Sequence, residues 1–253
     1  VLVGNAGNNT ITAATGIDTI TAGAGTDRIV FATAGDLTVA DSVDAGAGVN
    51  TLVATAVDID TNSDLADTAD LTALARISNI QTLEVSGAGA AAGTTVLIDA
   101  TRVASTVTTI NSGAVGGFAT TFTFNTGTSA LNLSGALGLG ATHVLVAAGT
   151  GTTDAVTVTN TNTAAADTLA ASNLTLTGIE TLNINTGATA TAAQSTGATG
   201  WTPTTTNGAV TLNVTGVNAF TTGIITPVGT GLLTINGSGM TAQAAGTPTL
   251  TTA

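Results

Sequence analysis

A period of nine residues constrains this chain more than any other feature. Residues 4–30 divide without gaps into GNAGNNTIT, AATGIDTIT and AGAGTDRIV. The fourth position is always Gly (Gly7, Gly16, Gly25), the sixth is Asn or Asp (Asn9, Asp18, Asp27), and the eighth is Ile (Ile11, Ile20, Ile29). After an insertion, FATAGDLTVADSVD, a fourth copy, AGAGVNTLV, sets Gly48, Asn50 and Leu52 in the same columns. A tandem unit this short cannot bury an apolar face alone, so its copies must stack. Each copy reads as a turn of about six residues followed by a three-residue strand whose central apolar side chain points inward, with Gly supplying positive φ in the turn. Successive copies fall on opposite sides of a flattened coil. Copy one then stacks on copy three and copy two on copy four, bringing Asn9 opposite Asp27 and Asp18 opposite Asn50.

The composition agrees with a chain of short strands and many turns. Hydrophobic residues make up 43%, aromatics 2% and charged residues 7%, so the core must be built from small and β-branched side chains. Period-two stretches recur along the chain: TTFTFNT, SALNLSG, DAVTVTN (Val156, Val158) and AVTLNVT (Val210, Leu212, Val214) read as strands with one buried face. Turn signals separate them about every ten residues, a spacing that fits a solenoid or a sandwich. Ile80–Val85 (IQTLEV) and Ile179–Ile184 (IETLNI) match at an offset of 99 residues. Each follows a helix-like patch, LADTADLTALARISN or ADTLAASNLTLTG. The fold expected is all-β: a parallel β-roll or solenoid over residues 1–56, then β-rich lobes with minor short helices over 57–150 and 151–253, the second continuous with the first.

Charge and chemistry narrow the function. The basic residues are Arg28, Arg76 and Arg102, with no Lys, against 15 acids and a net charge of -12. Nucleic acid is a poor partner for such a chain, because a phosphate backbone needs clustered cations. No apolar run reaches the length of a membrane-spanning helix; Gly135–Gly149 comes nearest and is interrupted by glycines, Thr142 and His143. Cysteine is absent, which excludes disulfides and thiolate metal sites and leaves hard cations. HExxH, GxSxG and GxxxxGK motifs are also absent, and no Lys or Cys nucleophile exists. The single His143 lies in an alternating segment, ATHVLVAAG, and reads as a strand residue on a solvent face. Glu84 and Glu180 fall inside the matched strand elements and read as structural. Trp201 is placed in a loop, where packing accounts for it better than a binding role does. The chain is therefore read as structural and not as an enzyme.

A second acidic stretch, DIDTNSDLADTAD, sets Asp58, Asp60, Asn62 and Asp64 at alternate positions, a spacing that can converge oxygens on one cation. It resembles the start of an EF-hand loop, but Ser63 stands where the turn glycine belongs and the bidentate Glu is missing. Asp64 or Asp67 as the cap of a short helix is the other reading, and the two are compatible.

The nonapeptide columns resemble the repeats-in-toxin (RTX) pattern GGxGxDxUx, whose tandem arrays form a parallel β-roll that binds calcium between stacked turns. The resemblance implies Ca²⁺ as the bound ion. It places candidate ligands at Gly7, Asn9, Gly16, Asp18, Gly25, Asp27, Asp44, Gly48 and Asn50, with Asp58, Asp60, Asn62 and Asp64 as a further set. The initial Gly of the unit is kept only in the first copy, and Asn replaces Asp in two of the four. One Asp facing one Asn in each stacked pair removes a carboxylate repulsion of roughly 3–4 kcal/mol at an effective dielectric near 20. Together with the Ile-x-Thr-Leu elements and the richness in Ala, Thr and Gly, the array resembles Gram-negative S-layer proteins exported by type I secretion without a cleaved leader. That implies a calcium-dependent lattice on the cell surface, built from copies of the chain and anchored through polysaccharide elsewhere, without membrane insertion. A segment of a secreted adhesin or of a matrix fibre is the alternative.

Overall fold

A computed structural model describes residues 1–56, 58–59, 76–86, 96–113, 120–135, 137, 142–148, 151, 153–163, 168–169, 172–188, 193–204, 209–222, 225, 232–241 and 250–252. The described strands are numbered along the chain, and every pairing between them is parallel. Even-numbered strands form one ten-stranded sheet: Thr10–Ala13 (β2), Arg28–Phe31 (β4), Thr51–Thr55 (β6), Thr82–Ser86 (β8), Thr109–Ser112 (β10), Thr128–Leu133 (β12), Ala155–Asn160 (β14), Thr181–Asn185 (β16), Val210–Gly216 (β18) and Leu233–Met240 (β20). Odd-numbered strands form two sheets. Leu2–Val3 (β1), Thr19–Thr21 (β3), Ser42–Asp44 (β5) and Ile77–Ser78 (β7) make the first. Val96–Asp99 (β9), Thr120–Phe124 (β11), Thr142–Ala147 (β13), Ser172–Thr177 (β15), Gln194–Thr204 (β17), Phe220–Thr222 (β19) and Leu250–Thr252 (β21) make the second.

The result is a parallel β-solenoid. Alternation within each strand sends one set of side chains inward, and equal register stacks them into columns. Ile11, Ile29, Leu52, Leu83, Ile110, Leu131, Val158, Ile184 and Val214 form one continuous ladder through the ten-stranded sheet from β2 to β18. From Ile29 to Val214 every rung is buried. Among the described residues the buried phenylalanines are Phe31 on β4 and Phe122, Phe124 and Phe220 on the later odd-numbered strands. The ladders β6–β8 and β12–β14 carry the sheet across residues 56 and 150 without a break. IQTLEV and IETLNI both enter this sheet, but Leu83 is in register with Ile184, two residues beyond the position that the sequence match aligns with it.

Three sequence expectations change here. The patch ADTLAASNLTLTG does not form a helix over 172–177, because Leu174 and Leu176 alternate inward as β15. The corresponding earlier patch lies mostly outside the described residues, and its end, Ile77–Ser78, is strand. Ala100–Val103 (α1) is a short helix capped by Asp99, whose carboxylate accepts the Thr101 amide at 2.9 Å and pairs with Arg102 at 3.1 Å. Trp201 lies in β17 opposite Leu174, not in a loop.

Candidate metal centre

The first and third nonapeptides stack as their period demands, Ile11 on Ile29. The second and fourth do not. β3 pairs with β5, inside the insertion, and the fourth copy, β6, pairs with β4. The insertion contains an additional half-coil, so the fourth copy returns on the side of copies one and three. Asp18 therefore does not face Asn50. Its amide donates to Asp41 Oδ1 at 2.6 Å, and Asp41 Oδ2 accepts the Thr38 amide at 2.6 Å. Acid stacks on acid on this side, against the alternation expected.

Glycines set the approach of the turns. Gly25 and Gly48 have φ of 128° and 129°, and a Cβ on Gly48 would fall 1.7 Å from the Gly25 carbonyl oxygen. Only a residue without a side chain allows that stacking. Gly16 also has positive φ, whereas Gly7 is not among the positive-φ glycines.

The sixth position of each repeat is a corner, one residue before a strand, and it follows one rule. The side chain of each coil accepts the corner amide of the coil before it. Asn9 N–H donates to Asp27 Oδ1 at 2.8 Å, Asp27 N–H to Asn50 Oδ1 at 2.9 Å, and Asn50 N–H to Gln81 Oε1 at 2.7 Å. The rule continues beyond the nonapeptides. Gly127 N–H donates to Asp154 Oδ1 and Asp154 N–H to Glu180 Oε2. Among the odd-numbered strands Thr120 N–H of β11 donates to His143 Nδ1 of β13 at 3.1 Å, and Gln194 Oε1 of β17 accepts the Thr168 amide, which precedes β15, at 2.9 Å. His143 is thus fully buried instead of facing solvent; the inward parity of β13 belongs to His143, Leu145 and Ala147, and not to the valines. Asp41, Gln81, Asp154 and Glu180 were missed as corner residues. The signal that could have found them is an acid or amide immediately before a strand.

What the second side-chain atom meets separates amides from acids. Asn50 Nδ2 donates to the carbonyls of Ala45, Gly46 and Asn79 at 3.0–3.3 Å. Asn9 Nδ2 donates to the carbonyls of Asn5 and Gly7 and to Asp27 Oδ1. Each Asn amide therefore occupies a nest of backbone oxygens. Asp27 lies between these two tiers, 1% exposed, and presents a second carboxylate oxygen that is buried and has no partner. A buried anionic oxygen left bare costs several kcal/mol, by the order of magnitude for buried ions. A hard cation held by that oxygen and by turn carbonyls removes the deficit. The donor set fits calcium, which would be held by Asp27 and backbone oxygens of the glycine turns and would supply charge neutralisation and cross-bracing between coils. Among the described residues no three His, Asp or Glu side chains converge, so backbone oxygens must complete the shell.

The remaining candidates divide. Asp44 is exposed and engaged: the Asn79 side chain, then the Gly46 amide, hold its carboxyl below its ordinary value. Asp58 is buried, accepts the Gly35 amide at 2.6 Å through Oδ1, and leaves Oδ2 buried without a partner. Asp60, Asn62 and Asp64 lie outside the described residues. The arginines are committed elsewhere. Arg28 spans two coils to form a two-pronged pair with Glu84 at 2.6 and 2.7 Å, Arg102 pairs with Asp99, and Arg76 donates to the Ala40 carbonyl.

Residues 3–36 match the family model of the RTX calcium-binding nonapeptide repeat, which holds four copies. Neither a curated protein nor a solved structure matches the chain. The match covers the first three copies and the start of the insertion, where stacked glycine turns surround Asp27. The front of this all-β chain is an RTX-type calcium-binding nonapeptide array, of the kind typical of secreted extracellular proteins.

Proposed function

We propose that this chain is part of a Gram-negative S-layer subunit, exported by type I secretion, in which calcium stiffens the leading coils and copies of the chain associate into a lattice. The bare Oδ2 of Asp27 supports this most: between the Asn9 and Asn50 corners, whose amide groups are met by backbone oxygens, it asks for a cation. A role in rigidity also fits a solenoid whose corner side chains are committed to bracing one coil against the next. Electron microscopy of the assembled protein tests the reading. Ordered sheets that disperse in chelator and return with calcium are expected, and sheets indifferent to chelator overturn it.

One observation favours the second reading, a segment of an adhesin or matrix fibre. All described strand pairs are parallel and one sheet runs through ten coils, leaving β2 and β20 as edges whose backbone groups can pair with further strands. Filaments in place of sheets in the same micrographs would select it.

A further inference from the structure

The corner that opens β14 carries a second acidic arrangement, far along the chain from the nonapeptides. Asp154 is 3% exposed. Its Oδ1 accepts the Gly127 amide at 2.5 Å from the preceding coil, and its own amide donates to Glu180 Oε2 at 2.8 Å on the following one. Its carbonyl accepts the amides of Glu180 and Thr181. Asp154 Oδ2 and Glu180 Oε1 remain, both buried and both without a hydrogen-bond partner. Oδ2 lies against Gly151, where a Cβ would fall 2.2 Å from it. Glycine keeps that space open.

The same two-coil arrangement occurs at Asn50 and Gln81, in amides. There the corner amide donates to Gln81 in the same way, and Asn50 Nδ2 donates to three carbonyls. No buried atom of that pair lacks a partner among the described residues. The fold therefore accommodates neutral side chains at these corners, and acids at 154 and 180 add only charge and unused lone pairs. No arginine is engaged there, since Arg28, Arg76 and Arg102 bond elsewhere, and the chain has no Lys.

We infer that Asp154 Oδ2 and Glu180 Oε1 together hold a hard divalent cation of the calcium type, at a site outside the nonapeptide array. Two carboxylates on adjoining coils repel unless a cation lies between them, and an all-oxygen donor set selects calcium or magnesium over softer metals. The inference does not depend on the nonapeptide reading, because the residues lie on different coils.

Calorimetric titration of calcium into the metal-free 253-residue chain tests it, comparing the unsubstituted protein with D27N and with D154N/E180Q. The double variant should lose one calcium equivalent that D27N retains. In chelator it should melt above the unsubstituted chain, and its melting temperature should rise less on adding calcium. An unchanged stoichiometry in D154N/E180Q overturns the inference and leaves the nonapeptide reading intact; loss of uptake in D27N alone does the same. If the double variant does not fold, E180Q alone, which keeps an oxygen for the Asp154 amide, should weaken one site at least tenfold, and unaltered affinities overturn the inference.

Discussion

Replacing Asp27 by Asn changes one oxygen into an NH₂ group, and its effect on stability should reverse sign with calcium. In chelator, the wild-type carboxylate has one oxygen engaged by Asn9 N–H and Nδ2–H, at 2.8 and 3.1 Å, and one buried and bare. D27N loses the charge assistance on two hydrogen bonds, about 1 kcal/mol each. It removes a buried unpaired anionic oxygen, which costs several kcal/mol, and offers a donor like those of Asn9 and Asn50. The net gain is about 1–3 kcal/mol, or roughly 2–12 °C in Tm for a chain of this size. With calcium at about 1,000 times its Kd, the wild type gains about 4.1 kcal/mol that D27N cannot recover, so the order inverts. Because solenoids melt by coils, hydrogen exchange at the Asn9 and Asp27 amides is the local assay, with scanning calorimetry beside it. A D27N chain less protected than wild type in chelator, and equally protected by calcium, would refute the reasoning.

Three further outcomes follow from the same geometry. The Arg28 guanidinium holds the Glu84 carboxyl below its ordinary value of 4.5, so the pair's contribution is full above about pH 4.5 and is lost as pH falls through the lower folded value. Both side chains are about a third or more exposed, which limits the effect through solvent screening to about 0.5–1 kcal/mol; melts from pH 5 to 3 should show an acid-dependent loss that E84Q lacks. His143→Ala strips the buried Thr120 amide of its acceptor and opens a void, and should lower stability by about 2–4 kcal/mol in denaturant titrations. Gly48→Ala drives a methyl into the Gly25 carbonyl and should cost about 2–4 kcal/mol while weakening calcium uptake; a neutral substitution would mean that the turns are not stacked so closely.

Much of the protein was legible from residue order because its forces are local. Glycine at Gly16, Gly25 and Gly48 marks turns needing positive φ. A period of nine brings Ile11 onto Ile29, and alternation marks Val156, Val158, Leu212 and Val214 as inward residues. Calcium was legible through the resemblance of the same columns to the RTX unit, with which oxygen-rich turns and the absence of Cys agree. The order of coils could not be read, since it depends on how many half-turns the insertion before β6 makes; that parity, a non-local quantity, moved Asp18 from Asn50 to Asp41. The corner ladder was hidden for a related reason: its rungs are separated by 18, 23, 31, 27 and 26 residues where their hydrogen bonds are resolved, so no fixed period exposes them. Loops of unequal length can close coils of equal rise, because the hydrogen-bonded sheet, and not the sequence spacing, sets the repeat along the axis. Residue type at the corners is a property of the sequence. Whether a given corner oxygen meets an amide, a carbonyl or nothing is decided only when the coils stack.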